Sequence, residues 1–182
     1  MTNLFEHADY FTVMAVDPGE TTGVAVVNAT PEKVELMKTF NVRFELEDVA
    51  AFRDDMLAIF GYVAERNAPE TAVLLVEKFT AVGGTPGVDL TPLTVMGAVE
   101  MMFHTLDDAE MAAFRERVRY QIPAHMRPFH NNKPLVKQVR HYMAPSRATR
   151  SNHEVDAIAH ALVYLAGHGH RPSMTVLAGE GL

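Results

Sequence analysis

Residues 72 to 77 read Ala-Val-Leu-Leu-Val-Glu, five apolar residues in a row and then a carboxylate. An unbroken apolar run of this length predicts a central strand buried on both faces, because a half-solvated strand would alternate apolar and polar residues. A chain that contains such a strand must cover its sheet with a layer on each side. A second run, Phe11 to Val16, also ends on a carboxylate, Asp17. Pro18, Gly19, Glu20, Thr21 and Thr22 follow, and then a third run from Gly23 to Asn28. The short Gly-containing connection predicts an antiparallel hairpin, and Val34 to Val42 alternates well enough to predict a third strand.

The remaining segments supply the covering layers. Val49, Phe52, Met56, Ile59, Phe60 and Val63 recur at helical spacing within 46–67. Helices are also expected over 93–104, 107–115 and 133–143, and from about His153 to Ala166, with Gly167 as the stop. Phe79 to Pro92 holds three glycines and two prolines and predicts a loop. Val118 to Ile122 predicts a fifth strand. The order β-β-β-α-β-α-β-α defines an α/β fold with a five-stranded mixed sheet, three antiparallel meander strands plus parallel strands, flanked by helices. The 182 residues fit a single domain, 1–182, that buries roughly two-thirds of its unfolded surface, with a flexible tail over about 168–182.

The charge is unevenly spread. The net charge is -7, which by itself argues against a polyanionic partner. Between residues 115 and 150, however, nine basic residues (Arg115, Arg117, Arg119, Arg127, Lys133, Lys137, Arg140, Arg147 and Arg150) face one acid, Glu116. A basic face on an acidic chain suits a polyanion such as nucleic acid, and also suits a solvated helical surface. There are no cysteines, which excludes disulfides and thiolate metal sites and fits a cytoplasmic protein. No apolar stretch approaches the ~18 residues of a membrane span, and no secretory signal pattern opens the chain.

Four groups stand out as chemistry. Asp17 and Glu77 sit at the carboxyl ends of two strands, and if those strands are neighbours and parallel the carboxylates emerge side by side where open α/β sheets bind ligands. Aspartate before Pro-Gly is equally a turn residue. Ser151 and Glu154 have capping-box spacing and mark a helix start, which places His153 and Asp156 three apart on one face of its first turns. Acids there complement the helix dipole, and a lone histidine on a helix is commonly structural. Two strand-end carboxylates with a helical His/Asp pair form an oxygen-rich donor set without thiols, suited to Mg²⁺ or Mn²⁺. Two such ions ~3.5–4 Å apart can serve both the attacking and the leaving oxygen of a phosphodiester.

"VDPGETTG", "LLVEKF" and "HEVDAIAHAL" together resemble, in this order and over 13–165, the motifs of the RuvC family of Holliday-junction resolvases within the RNase H-like superfamily. "IPAHMR" and "LVKQVRHYM" are similar to the family's basic DNA-contacting segment. The resemblance implies an RNase H-like fold and a homodimeric, metal-dependent endonuclease that cuts two strands of a four-way junction symmetrically. It implies Asp17, Glu77, His153 and Asp156 as catalytic ligands of two Mg²⁺ (or Mn²⁺) ions. It also implies Arg127, Lys133 and Lys137 as phosphate contacts and Phe79 as a base-stacking group, with no small-molecule cofactor and no membrane partner. The turn after Asp17 is one residue shorter than in the common bacterial enzymes, Arg127 stands where lysine is usual, and Phe79 sits at a different offset from the glutamate. In these respects the chain resembles phage-encoded members, whose place of action is a bacterial cytoplasm.

Three other readings use the same residues. A less selective nuclease for branched DNA or RNA–DNA hybrids needs the same four ligands. An actin/Hsp70-like nucleotide-binding domain also carries an Asp-Gly-Thr hairpin, but it normally needs roughly twice this length and does not call for the His153/Asp156 pair. An inactive DNA-binding scaffold would not need four intact candidate ligands.

Overall fold

The computed structural model describes residues 9–66, 71–79, 89–105, 115–142 and 151–179. Its element order is β1 (Phe11–Asp17), β2 (Thr21–Thr30), β3 (Lys33–Arg43), α1 (Val49–Ala64), β4 (Ala72–Glu77), α2 (Thr91–Thr105), β5 (Val118–Gln121), α3 (Arg127–His130), α4 (Lys133–Tyr142), α5 (Asn152–Gly167) and α6 (Arg171–Leu177). The strands form one sheet in the order β3-β2-β1-β4-β5. β1, β2 and β3 pair antiparallel, whereas β4 lies parallel to both β1 and β5. This is the mixed sheet that the order of segments predicts. β3 is one of the two edge strands and alternates in exposure, with Lys33, Glu35, Lys38 and Arg43 along it. Charges on an edge discourage further strand addition.

Alternation along β1 and β4 assigns one set of side chains to each face. Met14, Val16, Leu74 and Val76 pack against Phe52, Met56, Ile59, Phe60 and Val63 of α1 and against Val95, Val99 and Met102 of α2. Val13, Ala15, Val73 and Leu75 point the other way, onto Ala161 and Leu165 of α5. Asp17 and Glu77 have the same parity as Val13 and Val73, so both carboxylates emerge on the α5 face.

α5 starts where the capping box predicts. Ser151 Oγ accepts the Glu154 N–H at 3.1 Å, and a Glu154 carboxylate oxygen accepts the Ser151 N–H at 2.8 Å. The same carboxylate accepts Thr39 Oγ1–H at 2.6 Å and Asn41 Nδ2–H at 2.8 Å, tying the helix start to β3. Burial pushes the Glu154 carboxyl up, but its bonds from Thr39, Ser151 and Asn41 outweigh that and hold it below its ordinary value.

The close packing of α5 on the sheet depends on Gly23. A Cβ built there would lie 2.2 Å from both the carbonyl carbon and the carbonyl oxygen of His153. Gly23 has no positive φ, so glycine is required there for space alone. The turn before it is braced by Thr22, whose hydroxyl donates to the Gly19 carbonyl at 2.9 Å.

Two expectations change. Gly167 lies inside α5, and the chain reverses at Gly169, whose φ of 84° suits only glycine well. The segment expected as a flexible tail over 168–182 carries α6, with Ser173 and Val176 buried. His170 anchors it: Nε2 donates to the Thr30 carbonyl at 2.8 Å, and Nδ1 stands 2.7 Å from Ser173 Oγ. A 3-10 turn, Pro123–Met126, and the short α3 fill the connection from β5 to α4. All of the expected 107–115 helix except Arg115, most of the 79–92 loop, Arg147, Arg150 and residues 180–182 lie outside the described residues. No helix among the described residues is long and apolar enough to cross a membrane.

Replacing Gly23 with alanine should cost at least 1–3 kcal/mol, roughly the penalty for overpacking a rigid interior. Chemical denaturation would check it, and unchanged stability would remove this contact from the account. Glu154 contributes stability that is complete above its ordinary value of 4.5 and lost as the pH falls through its depressed folded value. Glu154→Gln should therefore lower stability at neutral pH and flatten its decline between neutral and acid pH, as read from urea midpoints across that range.

Candidate metal centre

The strand register brings the first two carboxylates together. Val16 pairs with Val76 across β1 and β4, so Asp17 and Glu77 are adjacent at the carboxyl edge. Glu77 in turn pairs with Gln121 of β5. The Lys78 N–H donates to the Gln121 carbonyl at 2.8 Å and extends the pairing past the strand end.

α5 brings the rest. Asp17 pairs with Gly23 in the hairpin, and the first turn of α5 lies against Gly23. His153 therefore reaches Asp17, with Nδ1 2.8 Å from Oδ2. Asp156, one turn further on, stands with its Oδ1 3.7 Å from His130 Nδ1. Asp17, Glu77, His153 and Asp156 thus lie at one edge of the sheet.

A residue outside that foursome also enters the site. His160 is one turn beyond Asp156 on the same helix face and is 1% exposed. Its Nδ1 is 2.9 Å from Gln121 Oε1, and its Nε2 is 3.7 Å from Glu77 Oε2. Asp17, Glu77 and His160 each offer a ligand atom within 4.8 Å of the others. The sequence signal was the i, i+4 spacing of Asp156 and His160. A histidine amid alanines and leucines reads equally as core. Gln121 and His130 carry no local signal, and only the sheet register and the α3 turn bring them in.

The electrostatics are those of too much negative charge in too little water. Burial pushes the Asp17 carboxyl up to about 9, with a hydrogen bond to Glu77 and the charges of Glu77 and Asp156 adding to the effect. Burial also pushes Glu77 up, but the His160 ring, the Asp17 carboxyl and His130 pull it further down, and it titrates below its ordinary value. Asp156 is raised mainly by burial, against the pull of His130, His160 and His153. Without a cation, Asp17 therefore carries the proton of the pair. A donor set of carboxylates and imidazoles that holds a proton to relieve its own repulsion fits a divalent cation.

The expected DNA-contacting residues lie on the flank of this edge. Asn132 Oδ1 accepts the Leu135 N–H at 3.1 Å and starts α4. Leu135 and Val139 of α4 pack into the core formed with α5, leaving Lys133 and Lys137 exposed. A groove of about 300 Å³ separates α4 from the start of α5, lined by His130, Lys133, Val136, Arg140, Asn152, Val155 and Asp156. Arg140 donates to Asn152 across it. Arg127 is exposed at the start of α3 and is not among the groove residues. Phe79 is half-buried, with its N–H 3.3 Å from Met96 Sδ of α2.

No protein-family model matches the sequence, and no curated protein matches it significantly. Among solved structures, the fold is similar to that of T. thermophilus RuvC in complex with Holliday junction substrate. The likeness has a TM-score of 0.60 at 20% sequence identity and covers 89% of this chain and 98% of that one. The chain therefore has the RNase H-like fold, with Asp17 and Glu77 at the end of its two central strands.

Between its ordinary value of 3.8 and about 9, folded Asp17 holds a proton that the unfolded chain has released. The stability of the metal-free protein should therefore fall as the pH rises through that window. Asp17→Asn should remove the fall and give a higher unfolding temperature than wild type at pH 8 in chelator. A metal-free variant less stable than wild type at pH 8 would contradict this electrostatic account.

Proposed function

We propose that the chain is a divalent-metal-dependent, structure-selective DNA endonuclease that resolves four-way junctions by hydrolysing phosphodiesters in two strands. The observation that carries this reading is the convergence of Asp17 and Glu77 with His153 and Asp156 of α5, at an edge flanked by a basic groove. The similarity of the fold to a RuvC solved with a Holliday junction supports DNA of that shape as the substrate.

Asp17, Glu77, His153 and Asp156 would hold the cations, two per site, with His153 Nδ1 now 2.8 Å from Asp17 Oδ2. When bound, divalent cations at such a site lower the pKa of water and stabilise charge on the scissile phosphate. The protein's own contribution is positional. The paired strand ends hold Asp17 and Glu77 side by side, and the capped start of α5 fixes His153 and Asp156 over them. Asp17 would have to be deprotonated to hold a cation, so binding would strengthen with pH. Lys133 and Arg140 in the groove, with Lys137 and Arg127 beside it, would neutralise backbone phosphates leading to the site. Phe79, two residues beyond Glu77, would stack on an unpaired base at the junction centre.

Symmetric cutting calls for a homodimer. Leu93 and Met101 of α2 and Val49 at the start of α1 are exposed apolar side chains. Val49 and Met101 rim an apolar cavity of about 290 Å³ between α1 and α2, on the sheet face away from α5. An interface there would leave both metal centres open to one DNA molecule in the cytoplasm.

Incubation with a synthetic four-way junction and Mg²⁺ or Mn²⁺ should give incision that linear duplex does not, and Asp17→Asn should bind the junction without cutting it. Equal cutting of both substrates would favour the less selective nuclease, and no cutting of either would remove the nuclease reading. Arg127→Ala with Lys133→Ala should weaken junction binding and reduce the salt slope by about 1–2. An unchanged slope would place the DNA elsewhere.

A further inference from the structure

His160 is the most deeply buried ionisable group near the metal centre, and the four-ligand reading gives it no role. Its ring is oriented by a neighbour. Gln121 Oε1, which can only accept, sits 2.9 Å from Nδ1, so Nδ1 carries a proton and Nε2 is the nitrogen turned towards the carboxylates. Nε2 stands 3.7 Å from Glu77 Oε2, where a protonated ring pairs with the carboxylate and a deprotonated one can share a cation with it. Two ligands about 2.1 Å from one small divalent ion stand about 3–4.2 Å apart, and 3.7 Å falls within that span. A ring whose far nitrogen is fixed by an oxygen acceptor is also the usual arrangement of a metal-ligating histidine.

We propose that His160 is a nitrogen ligand of the cation held by Asp17 and Glu77, and that Gln121 positions its ring for that purpose. The inference rests on the reading of Asp17 and Glu77 as cation ligands. Its chemical consequence is selectivity. Mg²⁺ is a hard ion that takes oxygen ligands, whereas first-row transition ions accept imidazole nitrogen readily. The site should therefore favour Mn²⁺ over Mg²⁺.

The test uses the full-length protein without DNA, titrated with Mn²⁺ or Mg²⁺, with pulsed electron paramagnetic resonance on the Mn²⁺ form. Wild type should bind Mn²⁺ about tenfold more tightly than Mg²⁺ and show ¹⁴N coupling to the bound ion. His160→Gln should lose about tenfold or more in Mn²⁺ affinity, the scale of a lost or misoriented ligand, together with the His160 share of the coupling, while its Mg²⁺ affinity changes little. His130→Gln with His153→Gln removes the other two imidazoles near the carboxylates. Both of these are about half exposed, so the double variant stays informative even if His160→Gln fails to fold. It should keep the nitrogen coupling. Bound Mn²⁺ without coupling in wild type or in the double variant would overturn the role of His160 and leave the cation site standing. Coupling that persists when His160→Gln is added to the double variant would do the same. No Mn²⁺ binding at all would overturn both.

Discussion

The first turn of α5 rests backbone against backbone on Gly23, and the candidate metal centre depends on that contact. A helix normally stands off a sheet by the thickness of its side chains. Here the carbonyl group of His153 occupies the space a Cβ at position 23 would need. Because Gly23 is the hairpin partner of Asp17, lowering the helix at this point lowers His153 onto Asp17. The capping box and the bonds from Thr39 and Asn41 to Glu154 then fix the rotation of the helix. Asp156 and His160, one and two turns on, follow without further adjustment because they share its inner face.

That geometry concentrates charge that a stable fold would otherwise disperse. Two carboxylates about 4 Å apart repel by about 4 kcal/mol at an effective dielectric of 20. The metal-free protein escapes most of this by keeping Asp17 protonated far above its ordinary range. His160, His130 and His153 offset what is left. A site that needs a proton to be tolerable suits a cation in its place.

Much of this could be read from the sequence because it rests on local periodicity. The apolar run ending in Glu77 and the hairpin after Asp17 define strands whose parity sends both carboxylates to one face. Ser151 and Glu154 locate the start of α5 from their spacing alone. What could not be read depends on contacts between distant segments. β5 is four residues long, so its register, and with it the place of Gln121, follows from pairing with β4. His160 follows Asp156 at helical spacing, but only the neighbouring Gln121 and Glu77 distinguish a ligand from a core histidine. α6 is too short for periodicity to reveal, and it is held by His170 reaching back to Thr30. The basic residues were visible as a cluster, yet the groove that uses Lys133 and Arg140 exists only once α4 packs on α5.

The account treats one edge of the sheet as a cation site that cuts branched DNA in pairs. Mapping incisions on all four end-labelled strands of a synthetic junction tests this most directly. The account predicts cuts at symmetric positions in two opposing strands, absent with Asp17→Asn. Single or unrelated cuts scattered over the four arms, or cutting that survives in Asp17→Asn, would contradict it.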